Sequence, residues 1–344
     1  MFIGIREIRY AKGRFALISS VIGLMTFMVV MLSALTNGLQ AQSVSAIERL
    51  PGAHLVLQAP AAGQEPSLAQ NTLDDATVAA ARSDDPTVAA LGISNARLSV
   101  GERSAVSAVF GADRPLQPAL DTGALPGDGG VVISADQADE LAVGVGDSVT
   151  VGTSTLRVDG IADTGFYTHF PVAFTTVDTW HRIAHTTGAT ALVTDDAVTA
   201  AGTTALPMSA SAKAVPGYSS EHGSLLAMQA MLLAISALVV GAFFAVWTIQ
   251  RLPELAVVRA MGADCGFLLR DAVGQAVLVL LVGESIGAAA GLGLALLVSG
   301  VVPVAISVGA IAVPIAAMTV LGTAGALLAV RRVTVVDPLV ALAR

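Results

Sequence analysis

Four long runs, three without charge and one with a single acid, decide what this chain can fold into. Residues 15–37, 224–249 and 301–330 contain no Asp, Glu, Lys or Arg, and residues 272–300 contain only Glu284. A hydrocarbon layer of about 30 Å is crossed by about 20 apolar residues in helical conformation, so each run is long enough to span it. With 54% hydrophobic and 13% charged residues, the chain reads as a membrane protein. Four transmembrane α-helices are therefore expected, with residues 38–223 inserted between the first and the second. Arg6, Arg9, Lys12 and Arg14 precede the first run as they would in a secretory signal. Its apolar stretch from Phe15 to Thr36 exceeds the roughly 7 to 15 residues of a signal core, and no small-residue cleavage site is obvious, so it reads as a retained anchor. In the last run, Pro314 falls near the outer end, where a broken turn is tolerated.

Orientation follows from the basic residues. Segments 1–14, 250–271 and 331–344 hold ten of the 18 Lys and Arg, which places them in the cytoplasm. The expected protein is multi-pass in the cell membrane, both termini are inside, and residues 38–223 form an outer domain of formal charge −12. That negative exterior argues against a nucleic-acid partner. Cys265 is the sole cysteine and lies in an inner segment, so the outer domain must be held by its core and not by disulfides.

Within the outer domain, "AHLVLQ" and "SAVSAVFGAD" read as strands, "GVVISADQADELAV" as a strand entering a short helix, and "GVGDSVTVGTSTLRVDGIADT" as a hairpin. Residues 59–86, rich in Ala, Gln, Pro and Asp, read as a mobile connection. The whole is an α+β extracytoplasmic domain. His181 and His185 in "HRIAH" would share a helical face, but a zinc peptidase needs Glu where Arg182 stands, so they read as an unliganded surface pair. No nucleophile elbow or paired catalytic acids are evident, and no enzyme is expected here.

Two features of the spans carry chemistry. Gly283, Gly287 and Gly291 form a small ridge of the kind that lets helices approach closely in lipid. Glu284 beside it is the only ionisable residue in any run; it serves either a structural hydrogen bond or transport. Met25, Met28 and Met31 recur at i, i+3 and i+6 in the first span and Met228 and Met231 at i and i+3 in the second; Met28, Met31, Met228 and Met231 occupy the outer leaflet. Methionine can simply fill irregular helix interfaces. It can equally offer thioethers to a soft-ligand-seeking amphiphile such as haem, whose iron also accepts imidazole, phenolate or carboxylate. Candidate partners just above are Glu48, Tyr167, His169, Tyr218 and His222. The candidate binding set is Met28, Met31, Glu48, Tyr167, His169, Met228 and Met231, doubled if two copies face across a twofold axis. No metal is expected apart from haem iron.

The stretch "RLPELAVVRAMGAD", residues 251–264, is similar to the inner segment of the permease family that includes MacB-type exporters and the cell-division protein FtsX. "RRVTVVDPLVALAR" is similar to that family's closing motif, and "VVISADQADELAVGVGDSVTVG" resembles its outer domain. Leu252 and Pro253 stand where basic or polar residues are usual, and Gln275 where an acid is common. Proline suits the first turn of a helix. The inner stretch reads as a helix from Pro253, with Leu255, Val258 and Met261 on one stripe and Gly262 ending it. Such a stripe can rest on the bilayer. The resemblance implies instead a coupling helix, Arg251, Glu254, Leu255, Val258, Arg259, Met261 and Gly262, docked on an ABC ATPase. The chain has no P-loop and only two lysines, Lys12 and Lys213, so ATP would be hydrolysed on that partner. The resemblance further implies no intrinsic cofactor, a homodimer in lipid, and ATP-driven efflux of a hydrophobic or amphiphilic molecule. The compact outer domain resembles that of haem-exporter permeases within the family, with haem as substrate. Two alternatives stay open: FtsX-like transmission of a signal to a cell-wall hydrolase, and export of lipoproteins or peptides.

Overall fold

The computed structural model describes residues 12–69, 71–197, 200–250, 257, 261 and 265–334. The chain opens with helix α1, Lys12–Glu48. An inserted domain follows, built of β1 (His54–Gln58), α2 (Asp75–Asp84), β2 (Ala89–Val100), β3 (Arg103–Ala112), β4 (Thr122–Gly123), β5 (Gly130–Ile133) and α3 (Ala135–Leu141). It continues through β6 (Ser148–Val151), β7 (Ser154–Ile161), β8 (Phe166–Tyr167), β9 (Phe170–Thr175), α4 (Val177–Ala184), β10 (Ala191–Thr194) and β11 (Thr203–Pro207). Helices α5 (Tyr218–Gln250), α6 (Cys265–Val298) and α7 (Val308–Thr334) complete it. Among the described residues, four helices are long and apolar enough to cross a membrane, and the sheet domain lies in sequence between the first two. The chain divides into two compact units, Met1–Gly38 with Gly223–Arg344, and Leu39–His222.

Helix α1 does not stop at the end of its apolar run near residue 37. Its 37 residues measure about 55 Å at about 1.5 Å each, nearly twice the hydrocarbon thickness. The polar continuation contains no proline before Pro51, so nothing in it breaks the helix. Gly38 is required there, because a Cβ would sit 1.9 Å from the Pro303 carbonyl oxygen of the α6–α7 connection. Helix α6 likewise starts before residue 272, at Cys265, and α7 starts at Val308.

In the inserted domain the strands run in the order β11-β1-β10-β2-β3-β9-β5-β7-β4, with β6 joining β2 and β7, and β8 joining β9. Pairs β3/β9 and β5/β7 are parallel; the other pairs are antiparallel. The long β2–β3 hairpin turns at Gly101, whose φ of +58° favours a residue without Cβ. Buried side chains form separate clusters, one around Leu55, Leu91, Phe110 and Phe174, another around Val109, Ile133, Val149 and Trp180. Trp180 of α4 lies against the facing glycines Gly92 and Gly111, where a Cβ would come within 2.3 Å of its atoms. Its indole N–H donates to Ser94 Oγ at 3.0 Å, so the ring is both packed and satisfied. The expected strand-to-helix step at "GVVISADQ" is present: Ser134 and Gln137 close a capping box at the start of α3.

Two expectations are corrected. Residues 59–86 are not merely a connection, because they contain α2, started by Asp74 accepting from the Thr77 N–H, and they bury Leu68, Leu73, Val78 and Ala81. His181 and His185 do not share a helical face: α4 ends at Ala184 and His185 turns left-handed at φ +52°. His181 Nε2 lies 2.7 Å from the Gly188 carbonyl oxygen. No cluster of His, Cys, Asp or Glu among the described residues could hold a metal ion.

Candidate functional site

In the membrane unit, the glycine ridge of α6 lies against α1. A Cβ on Gly283 would meet Ile22 and Ser19, one on Gly287 would meet Gly23 and Thr26, and one on Gly291 would meet Val30. Helices α5 and α7 meet at Gly241 and Gly325. Phe15, Ile22, Val240, Phe244, Trp247, Leu280 and Ala326 fill a common core, with Phe15 edge-on to Trp247 at 5.6 Å. The buried residues of α5 begin only at Ser236. Its domain-proximal part is therefore uncovered, and there Leu226, Met228, Met231 and Ile235 are about half exposed or more. On α1, Leu24 and Met28 are exposed on one stripe, while Met31 is half-buried. A groove of about 610 Å³ between α1 and α6 is lined by apolar residues such as Leu24, Phe27 and Ile286 and by none of the methionines. The sulfur-bearing surface is thus an open helix face.

In the inserted domain, the two-residue turn between β8 and β9 grips the last turns of α1. Thr168 and His169, both at positive φ, donate their backbone N–H groups to the Ser43 and Gln42 carbonyls at 3.0 and 2.9 Å. The Phe166 N–H donates to Ser45 Oγ, and Gly165 lies so close that a Cβ would be 3.0 Å from Ala46 N. Arg49 completes the grip through an ion pair of 2.7 Å with Asp163, whose carboxyl is held below its usual range chiefly by the hydrogen bond from Arg49. The connection onward to the first turn of α5 runs through side chains. His169 Nε2 is 3.2 Å from both Ser43 Oγ and Glu221 Oε2, and Ser43 Oγ donates to the same carboxylate oxygen at 3.3 Å. Next to it Tyr218 stacks on His222 with ring centroids 5.3 Å apart.

The expected binding residues therefore separate. His169 is exposed and joins Ser43 and Glu221, neither of which the sequence singled out. Glu48 is exposed at the end of α1. Tyr167 is 5% exposed, edge-on to Phe110 in the domain core, and burial pushes its phenol well above the usual range. Of the expected coupling residues, Arg251, Glu254, Leu255, Val258, Arg259 and Gly262 lie outside the described residues. Met261 is exposed, and its N–H donates to the Val257 carbonyl at 3.1 Å, one helical turn earlier.

Two family models match the chain: the MacB-like periplasmic core domain over residues 15–206, and the FtsX-like permease C-terminal domain over residues 226–338. Similar proteins include a Staphylococcus haemolyticus protein named as a hemin transport system permease, HrtB, at 23% identity over 98% of this chain and 97% of that one. Two ABC transporter permeases of Mycobacterium tuberculosis are 24% and 25% identical, over 99% and 98% of both chains.

Proposed function

The chain belongs to the ABC transporter permeases that join a MacB-like periplasmic core to an FtsX-like permease domain, and from that premise we propose that it expels haem from the outer leaflet of the cell membrane. The observation that carries this reading is the uncovered, methionine-bearing face of α5, with Met28 exposed on α1. Thioethers suit haem iron, and the surrounding leucines and isoleucine suit the porphyrin. The full-length similarity to proteins named as hemin transport permeases supports the same choice of ligand.

In this account a separate ATPase binds and hydrolyses ATP, and the 250–271 segment receives its closure through Arg251, Glu254, Leu255, Val258, Arg259, Met261 and Gly262. A second copy of the chain completes the site, so that the exposed methionines of each protomer meet across a twofold axis with lipid around them. Both termini and the coupling segment face the cytoplasm. Met28, Met31, Met228 and Met231 contact the ligand. Haem added to the purified protein then gives a Soret shift that weakens in M28L, M228L and M231L; an unchanged spectrum would remove haem as the ligand. Orientation is checked on the sole cysteine: a membrane-impermeant maleimide should label Cys265 only after the cells are opened, and labelling in intact cells contradicts the topology.

The FtsX-like match favours a second reading, in which ATP hydrolysis inside moves the inserted domain to activate a wall hydrolase. That reading needs no methionine face. Methionine-to-leucine variants that keep full activity in cells while the inserted domain binds a wall enzyme would establish it.

A further inference from the structure

The strongest uncommitted chemistry lies in the middle of the membrane unit. Glu284 of α6 is 1% exposed. Its Oε2 is 2.6 Å from Thr319 Oγ1 of α7, and its Oε1 is buried with no hydrogen-bond partner. Thr319 Oγ1 also lies 2.9 Å from the Ile315 carbonyl oxygen, which can only accept. A threonine hydroxyl owns one proton. If that proton goes to Ile315, the short contact to Glu284 is a hydrogen bond only when the carboxyl supplies the proton.

The surroundings point the same way. Residues 15–37, 224–249, 272–300 and 301–330 contain no Lys, Arg or His and no other Asp or Glu, so none of these runs offers a cation to a carboxylate here. On the α1 side, Thr26 is fully buried against Gly287 and donates to its own helix at Ile22, with Met318 sulfur 3.6 Å away. An ionised carboxylate would leave a charged oxygen unpaired in this setting, whereas a protonated one leaves only a neutral carbonyl oxygen.

We propose that Glu284 is an intramembrane proton-binding site, a neutral carboxylic acid that donates to Thr319 and thereby ties α6 to α7. Release of the proton turns the donor into an acceptor. Thr319 must then abandon Ile315 to keep the contact, so the α6–α7 tie changes with the occupancy of one proton. This inference needs neither haem nor the ATPase.

Infrared spectroscopy of the full-length protein in lipid at neutral pH tests it. The expected result is a carboxylic-acid carbonyl stretching band that disappears in E284Q and moves to higher wavenumber in T319V, where the hydrogen bond is lost. E284Q keeps a donor toward Thr319 and should melt close to the wild type. If E284Q fails to fold, the T319V shift alone carries the assignment. Loss of carboxylate rather than carboxylic-acid bands in E284Q, or a wild-type spectrum with no band that responds to T319V, would overturn the proposal.

Discussion

Replacing Gly287 by alanine puts the α1–α6 contact under direct strain. The added Cβ would lie 2.2 Å from the Gly23 carbonyl oxygen and 2.8 Å from Thr26 Cβ, with backbone on one side and a branched side chain on the other. Neither can swing away, so the helices must part by roughly 1 Å, at an overpacking cost of about 1–3 kcal/mol. Between helices in lipid, close packing is a main source of attraction, which leaves little to offset that loss. Two companions calibrate the effect. At Gly293 a Cβ meets nothing within 4 Å, and at Gly283 its nearest atoms, in Ile22 and Ser19, are 2.8–2.9 Å away. Thermal unfolding in detergent, followed by retention of the monodisperse peak, should rank G293A with the wild type, G283A below it and G287A lowest by several degrees. A G287A protein that melts with G293A would refute the helix contact on which the membrane core rests.

The His169–Glu221 pair joins two half-exposed side chains, so a double-mutant cycle with H169A and E221Q should give a coupling below about 1 kcal/mol. The Thr168 amide should stay protected from hydrogen exchange in H169A, because its bond to Ser43 is made by backbone; loss of that protection would show that the grip depends on the imidazole. W180A should destabilise the inserted domain by about 3–5 kcal/mol, since Gly92 and Gly111 cannot fill the space, and limited proteolysis should cut that domain first. Cost below about 1 kcal/mol, within surface-mutation range, would contradict the packing. Asp163 has its folded pKa lowered by Arg49, so its stabilisation is present above the unfolded value of 3.8 and fades as pH falls through the lower folded value. D163N should remove that portion of the acid sensitivity and leave stability at pH 7 only slightly reduced, as its exposure requires.

The spans were legible because bilayer thickness and charge-free length are read from the same residues. Their ends were less so. Gln40, Gln42, Ser43 and Ser45 are polar without breaking a helix, and α1 therefore runs on to Glu48 where hydropathy alone stops. The Ala- and Asp-rich stretch after β1 looked like a linker by composition, yet Asp74 caps a helix within it. "GFYTHF" carried a usable signal: two polar residues between an aromatic pair and a single phenylalanine form a tight turn. Strand alternation would put Tyr167 and His169 on one face, but the left-handed pair Thr168 and His169 breaks the alternation, sending the tyrosine into the core and the imidazole outward. Ser43 and Glu221 could not be found from sequence, because their meeting depends on how the sheet returns the chain to α1 across more than a hundred residues.

The claim at the centre is that this permease moves haem outward. Purified protein reconstituted with its ATPase into haem-loaded vesicles, with an apo-haemoprotein acceptor in the compartment facing the inserted domain, measures that directly. The account predicts that ATP transfers haem to the acceptor and that M228L/M231L slows the transfer; ATP turnover with no haem reaching the acceptor would contradict it.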